Sequence, residues 1–233
     1  TSILIFQILQ LTAVTQQVLE QQVVPGLAIL PRQLLLPLTQ LVGQLHLLND
    51  LTKKYLEKIH PKTVLFLGIA GGNGLEHINN NSTTNVFGID INQNYLDETK
   101  KRFNNKISNL TLLNLDISSS NTIQLTKANL VWAALIFEYV EIDKCFEFIT
   151  NNIQDKGYLV VTIQVNNGVN SVSQTGIETI KSAGQLFKIV TESELLLAAN
   201  KFGFDKIDFE DNILPNKKSL KTYTFLKKPT VSQ

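Results

Sequence analysis

Three stretches of this chain carry residue types at spacings that can do chemistry. The run GIAGGNG at 68–74 follows the apolar strand pattern TVLFL. Glycine has no Cβ, so a ligand can approach such a backbone closely, and the amides that open a following helix would face it. Asp90 closes the apolar run NVFGID, and Asp116 closes LTLLNLD. A carboxylate at the first position can accept hydrogen bonds from both hydroxyls of a ribose, and one at the second can accept from an adenine amino group. Further along, the stretch VWAALIFEYV holds Glu138 and Tyr139. With His46, these are the side chains able to take a proton from a reacting oxygen or nitrogen. No metal site is expected, because Cys145 is the single cysteine and the three histidines show no clustered ligand spacing.

The elements that would position these residues follow from periodicity. Residues 1–49 contain only Glu20 and Arg32 as formal charges, are rich in glutamine, and carry Pro25, Pro31 and Pro37. Two or three short helices are expected there, forming a cap, lid or dimer surface in front of a domain at 50–233. From Leu51 a helix should run to Pro61, followed by the strand TVLFLG and a helix starting near Gly74. The strand NVFGID (85–90), a helix over 92–106 capped by Asn92, and the strands at 110–116, 128–135 and 157–165 come next, with the helix EIDKCFEFITNNI before the last of these. A helix over 191–204 and the strand-like runs DKIDFEDNI and SLKTYTFLKK close the chain. Strands alternating with helices predict an α/β fold: a Rossmann-like, doubly wound, mostly parallel seven-stranded sheet with a C-terminal antiparallel hairpin and an N-terminal helical extension. Ligands of such sheets bind beyond the carboxyl ends of the strands, which is where the glycine run, Asp90 and Asp116 fall.

The succession VLFLGIAGGNG, VFGIDIN, LLNLDI, ANLVWAAL and GYLVVTIQ resembles the class I S-adenosylmethionine-dependent methyltransferases over roughly residues 50–228. The resemblance implies S-adenosylmethionine as cofactor. Its methionine portion would lie at the loop of Gly68, Ala70, Gly71 and Gly72, its ribose at Asp90 and Ile91, and its adenine between Asp116 and Ile117. Trp132 would either wall the adenine or substrate pocket or pack in the core. Two positions depart from the family pattern. Phe66 stands where an acidic residue commonly precedes the first glycine, and Ala70 fills the central glycine slot.

Other readings compete. Gly68, Gly72 and Gly74 also fit the GxxxGxG pattern of short-chain dehydrogenases, which need a tyrosine with a lysine four residues on. That pair is expected to be absent at all of Tyr55, Tyr95, Tyr139, Tyr158 and Tyr223. A non-catalytic binding module and an aminopropyltransferase share the architecture. Lysine plus arginine (21) balance aspartate plus glutamate (20), so no net field favours nucleic acid. The D/N-P-P-Y/F signature of nucleobase methylation is also missing. No long apolar run suggests a membrane span, and one cysteine suggests a reducing, cytoplasmic setting. The expected acceptor is a small, partly hydrophobic metabolite entering between the N-terminal block, Phe137 and residues 168–190, on a monomer or homodimer.

Overall fold

The computed structural model describes residues 32–119, 123–167 and 188–230, with side chains from Gly43 onward. Its sheet contains seven strands: β1 (Thr63–Leu67), β2 (Asn85–Asp90), β3 (Leu110–Asn114), β4 (Ala128–Ala134), β5 (Ile153–Val165), β6 (Phe204–Ile213) and β7 (Ser219–Lys227). Their order across the sheet is β3-β2-β1-β4-β5-β7-β6. The first five strands run parallel, and β7 joins β5 and β6 antiparallel. The strand order reverses between β1 and β4, so their carboxyl ends flank a crevice.

Alternation along the central strands divides the core into two layers. Leu65 and Leu67 of β1 and Val131 and Ala133 of β4 face one way, toward the helices α3 (Ile142–Asn152) and α4 (Glu192–Lys201). Val64, Phe66, Leu130 and Trp132 face the other way, toward α1 (Arg32–Ile59) and α2 (Gln93–Phe103). All five residues of β1 are buried, as a strand covered on both faces by helices must be. Local signals fix the helix starts. Asn92 caps α2 by accepting from Asn94 N, and Thr191 and Glu194 form a reciprocal capping box on α4.

The N-terminal expectations change. A single 28-residue helix runs from Arg32 to Ile59, continuing through Pro37 and across the boundary expected at 49/50. Residues 1–31 lie outside the described residues. Lower down, α1 crosses the sheet face to reach the β6 edge. Lys54 pairs with Glu210 at 2.9 Å, Lys58 with Asp208 at 2.7 Å, and Tyr55 Oη donates to Glu210 at 2.7 Å.

The helix expected near Gly74 is also not there. Only the single 3-10 turn Leu75–His77 forms, with Gly74 before it at φ 90° and an asparagine-rich loop after it. Asparagine and serine bond to their own backbone in preference to continuing a helix, as Asn79 does with Asn81 N. The row of helix-start amides anticipated for this loop is therefore missing. The terminal hairpin forms as expected, and its inner strand is pinned to β5 by a buried Thr162–Thr222 hydroxyl pair at 3.0 Å.

Candidate functional site

A cavity of about 460 Å³ opens at the carboxyl ends of β1, β2, β3 and β4. Gly68 lines it from β1, and Asp90 and Ile91 from the end of β2. Asp116 and Ile117 line it from the segment after β3, Ala134 from the end of β4, and Leu135, Ile136 and Tyr139 from the segment that follows. The walls are mostly apolar, and the two carboxylates stand on neighbouring strand ends.

Asp90 is 9 % exposed and engaged from two sides: Oδ2 accepts Ala70 N at 2.9 Å and Oδ1 accepts Asn92 N at 2.9 Å. Burial raises its pKa, while those amides pull it back. A carboxylate has about four lone-pair sites, so two backbone bonds leave room for ribose hydroxyls. Asp116 is exposed and turns one oxygen back onto Ser118 N at 2.8 Å. Ile117 is buried beside it, and Ile91 is 69 % exposed at the rim.

The loop after β1 has an alternating shape. Gly68, Ala70, Gly72 and Gly74 all take positive φ (68°, 47°, 79° and 90°). The cost of alanine in the central glycine slot therefore lies in its backbone rather than its volume, because an L-residue is strained in the left-handed region. A Cβ on Gly72 would come within 2.8 Å of the Phe103 ring, so α2 packs directly onto the turn. Ala70, Gly71 and Gly72 do not line the cavity; Gly68 does.

The other anticipated residues separate. Trp132 lies on the α1 side of the sheet with its ring centroid 5.8 Å from that of Tyr55, which corrects its assignment to the cofactor pocket. The β4 lining begins two residues on, at Ala134, so Trp132 lies below the cavity and serves the core. Phe137 is fully buried against Phe146 at 5.2 Å, so it packs inside rather than forming an entry wall. The rest of the anticipated entry, residues 168–187 and 1–31, lies outside the described residues. His46 sits exposed on α1 and is not in the cavity lining. Tyr139 lines the cavity and is half exposed. Glu138 is not in the lining and is 1 % exposed.

Glu138 carries the most perturbed acid of the site region. After Leu135, whose N–H makes a last bond to Thr162 O at 2.8 Å, the chain leaves β5, and on that side Gln164 N donates to Glu138 Oε1 at 2.8 Å. Oε2 is buried with no partner among the described residues. Desolvation pushes the pKa up to about 7, against the Gln164 bond that lowers it. Gln164 Nε2 in turn donates to Asn166 Oδ1 at 2.8 Å, and Asn166 Nδ2 is also buried with no partner among the described residues.

Sequence reasoning missed the α2 residues Tyr95, Thr99 and Arg102. Tyr95 lines the cavity, while Thr99 and Arg102 bond the glycine loop. Their i, i+4, i+7 spacing, with Phe103 next to it, marked one helix face directed at the loop. Tyr223 does have a lysine four residues on, Lys227, so the tyrosine–lysine pair is present in sequence. Both lie on β7 outside the cavity lining, Tyr223 fully buried and Lys227 bonded to Phe202 O at 2.7 Å. They cannot act on a ligand in the cavity. Among the described residues, no group of His, Cys, Asp and Glu could hold a metal ion, and no helix is long and apolar enough to cross a membrane.

No protein-family model matches the sequence, and no curated protein resembles it by sequence. Solved structures resemble its fold. The N-methyltransferase NodS from Bradyrhizobium japonicum WM9, in complex with S-adenosyl-L-homocysteine, superposes with a TM-score of 0.59 at 13% identity, covering 81% of this chain and 88% of NodS. The magnesium protoporphyrin IX methyltransferase ChlM from Synechocystis PCC 6803, also with bound S-adenosylhomocysteine, gives 0.59 at 12% identity, covering 80% and 84%. The [4+2]-cyclase SpnF gives 0.62 at 14% identity, covering 78% and 81%. Strand order, antiparallel hairpin and these likenesses together give the chain the Rossmann-like fold of the class I S-adenosylmethionine-dependent methyltransferases.

Proposed function

We propose that the chain binds S-adenosylmethionine in the cavity at the β1–β4 ends and transfers its methyl group to a small, partly hydrophobic acceptor. The observation that carries this reading is the convergence of Gly68, Asp90 and Asp116 on one apolar cavity of about 460 Å³. The residues present fit such a molecule: Asp90 retains acceptor capacity for a ribose, Ile117 and Ile91 offer apolar faces for a purine, and Asp116 stands within the same wall. When bound, the sulfonium of the cofactor supplies an already activated methyl donor.

What the chain adds is orientation and exclusion of water. Displacement at a methyl group needs the acceptor held in line behind it, and a largely apolar wall favours the loss of charge as the sulfonium becomes a thioether. Tyr139, on the cavity wall, is the side chain placed to contact an acceptor.

The fold also supports a [4+2]-cyclase, so binding and transfer require separate tests. Calorimetric titration with S-adenosylhomocysteine should show one site, weakened at least about tenfold in Asp90→Ala through loss of charge-assisted bonds. Transfer is then followed from labelled S-adenosylmethionine to a panel of small amines, phenols and carboxylates. Unchanged affinity in Asp90→Ala would refute the site. Binding without transfer to any acceptor would favour the non-catalytic reading.

A further inference from the structure

In this fold, four alternate positive-φ residues at 68, 70, 72 and 74 shape the cofactor loop, and such alternation turns backbone amides to one side and carbonyls to the other. Each outward carbonyl needs a donor or a place in water. Ile69 O receives Gly72 N at 2.9 Å, and Gly72 O receives Leu75 N at 3.2 Å. The two carbonyls between them are met from α2: Thr99 Oγ1 donates to Ala70 O at 2.8 Å, and Arg102 Nη1 donates to Gly71 O. On the strand side, the last two residues of β1 before the loop, Phe66 and Leu67, are both apolar. Phe66 is 3 % exposed and packs in the apolar layer with Tyr55 and Trp132.

We propose that Arg102, assisted by Thr99, is the positioning residue that holds this loop in the shape receiving the amino-acid end of the cofactor. The inference rests on the S-adenosylmethionine reading and specifies how this chain maintains a loop whose strand-side neighbour is a phenylalanine. The two contributions are unequal. Thr99 has one hydroxyl proton and divides it between Ala70 O and Tyr95 O, both at 2.8 Å. Arg102 brings a permanent charge to Gly71 O, and its guanidinium lies 4.9 Å from the Phe103 ring centroid, the same ring that packs on Gly72. Thr99, Arg102 and Phe103 therefore grip three consecutive loop residues from one rigid helix face. Asp90 binds the same loop at Ala70 N, so the carboxylate proposed for the ribose and the α2 grip share one residue.

The test separates the two ends of the cofactor. Arg102→Met keeps an unbranched stem on Phe103 and removes the donors, while Arg102→Lys keeps a charged donor. Calorimetry with S-adenosylhomocysteine and with adenosine is run on both variants, on Thr99→Val and on the unmodified chain. Arg102→Met should lose about tenfold or more in S-adenosylhomocysteine affinity, the size of one lost charged hydrogen bond. Its adenosine affinity should stay within about twofold of the parent, because adenosine does not reach the loop carbonyls' side. Arg102→Lys should recover most of the loss, and Thr99→Val should lose less than Arg102→Met. Equal losses for both ligands would make Arg102 a general structural residue and overturn the proposal, as would unchanged S-adenosylhomocysteine affinity. If Arg102→Met does not fold, Thr99→Val and Arg102→Lys decide between the same two outcomes by the same two-ligand comparison. An unmodified chain that binds neither ligand would sink the cofactor reading itself, a result distinct from a variant that behaves like its parent.

Discussion

Glu138→Gln offers a stability measurement whose magnitude can be worked from the structure. The Glu138 carboxyl is 1 % exposed, one oxygen accepts a single backbone N–H, and the other has no partner among the described residues. Its pKa rises from 4.5 to about 7 because burial penalises the charged form. At about 1.4 kcal/mol per pH unit, that displacement corresponds to about 3 kcal/mol. The sign follows from proton binding. Below about pH 4.5 the group is neutral in both states and costs nothing. Between about 4.5 and 7 the folded chain holds a proton that the unfolded chain has released, so stability falls as pH rises. Above about 7 the whole penalty is present. Glutamine keeps an oxygen for Gln164 N and does not titrate. It adds a buried amide that costs a fixed 1–3 kcal/mol or so at every pH. Urea unfolding of both proteins at pH 5 and pH 8 should show the stability difference moving toward the variant by about 2–3 kcal/mol over that interval. Asp90, whose pKa is also raised, titrates in both proteins and cancels. A difference that stays flat between pH 5 and pH 8 would refute the assignment of a buried, half-satisfied acid.

Two further substitutions probe the loop. Phe66→Asp would place the acid that the family commonly carries at this position into the apolar layer of Tyr55, Leu130 and Trp132; it should cost more than about 4 kcal/mol and leave little folded protein by circular dichroism, whereas a stable variant with tighter S-adenosylhomocysteine binding would contradict the packing described. Ala70→Gly relieves an L-residue at φ 47° and should stabilise by about 0.5–1 kcal/mol net of the entropy glycine loses on folding, with a lowered thermal midpoint as the contrary result.

Much of the framework was legible because it rests on local or strictly periodic signals. The continuous apolar runs of β1, β4 and β5 mark strands covered on both faces, and the Asn92 cap sets α2. That Asp90 and Asp116 would line one cavity could be read from the sequence because strand ends in an open parallel sheet converge. Most of the failures have physical causes. Trp132 lies two residues short of Ala134, where the β4 lining of the cavity begins, and an apolar strand gives no sign of how far from its carboxyl end a cavity reaches. α1 runs on through Pro37, a residue whose type argues for a break, and nothing in the described side chains, which begin at Gly43, explains that continuity. Arg102 was missed, and the role of Glu138 was ambiguous, because their partners are main-chain groups at Gly71 and Gln164, and a backbone partner leaves no trace in residue type.

The clasp between α1 and β6 bears on how the chain is made. Lys54, Tyr55 and Lys58 meet their partners Glu210 and Asp208 across sequence separations of 150 or more residues. During synthesis α1 leaves the ribosome long before the acids of β6 exist, so the lower end of the helix must wait with its tyrosine hydroxyl and two lysines unmatched. That end can pack on β1 and β4 through Tyr55 and Trp132 beforehand, but its polar contacts form only once β6 is made, and premature termination before residue 210 would leave the helix without this far anchorage.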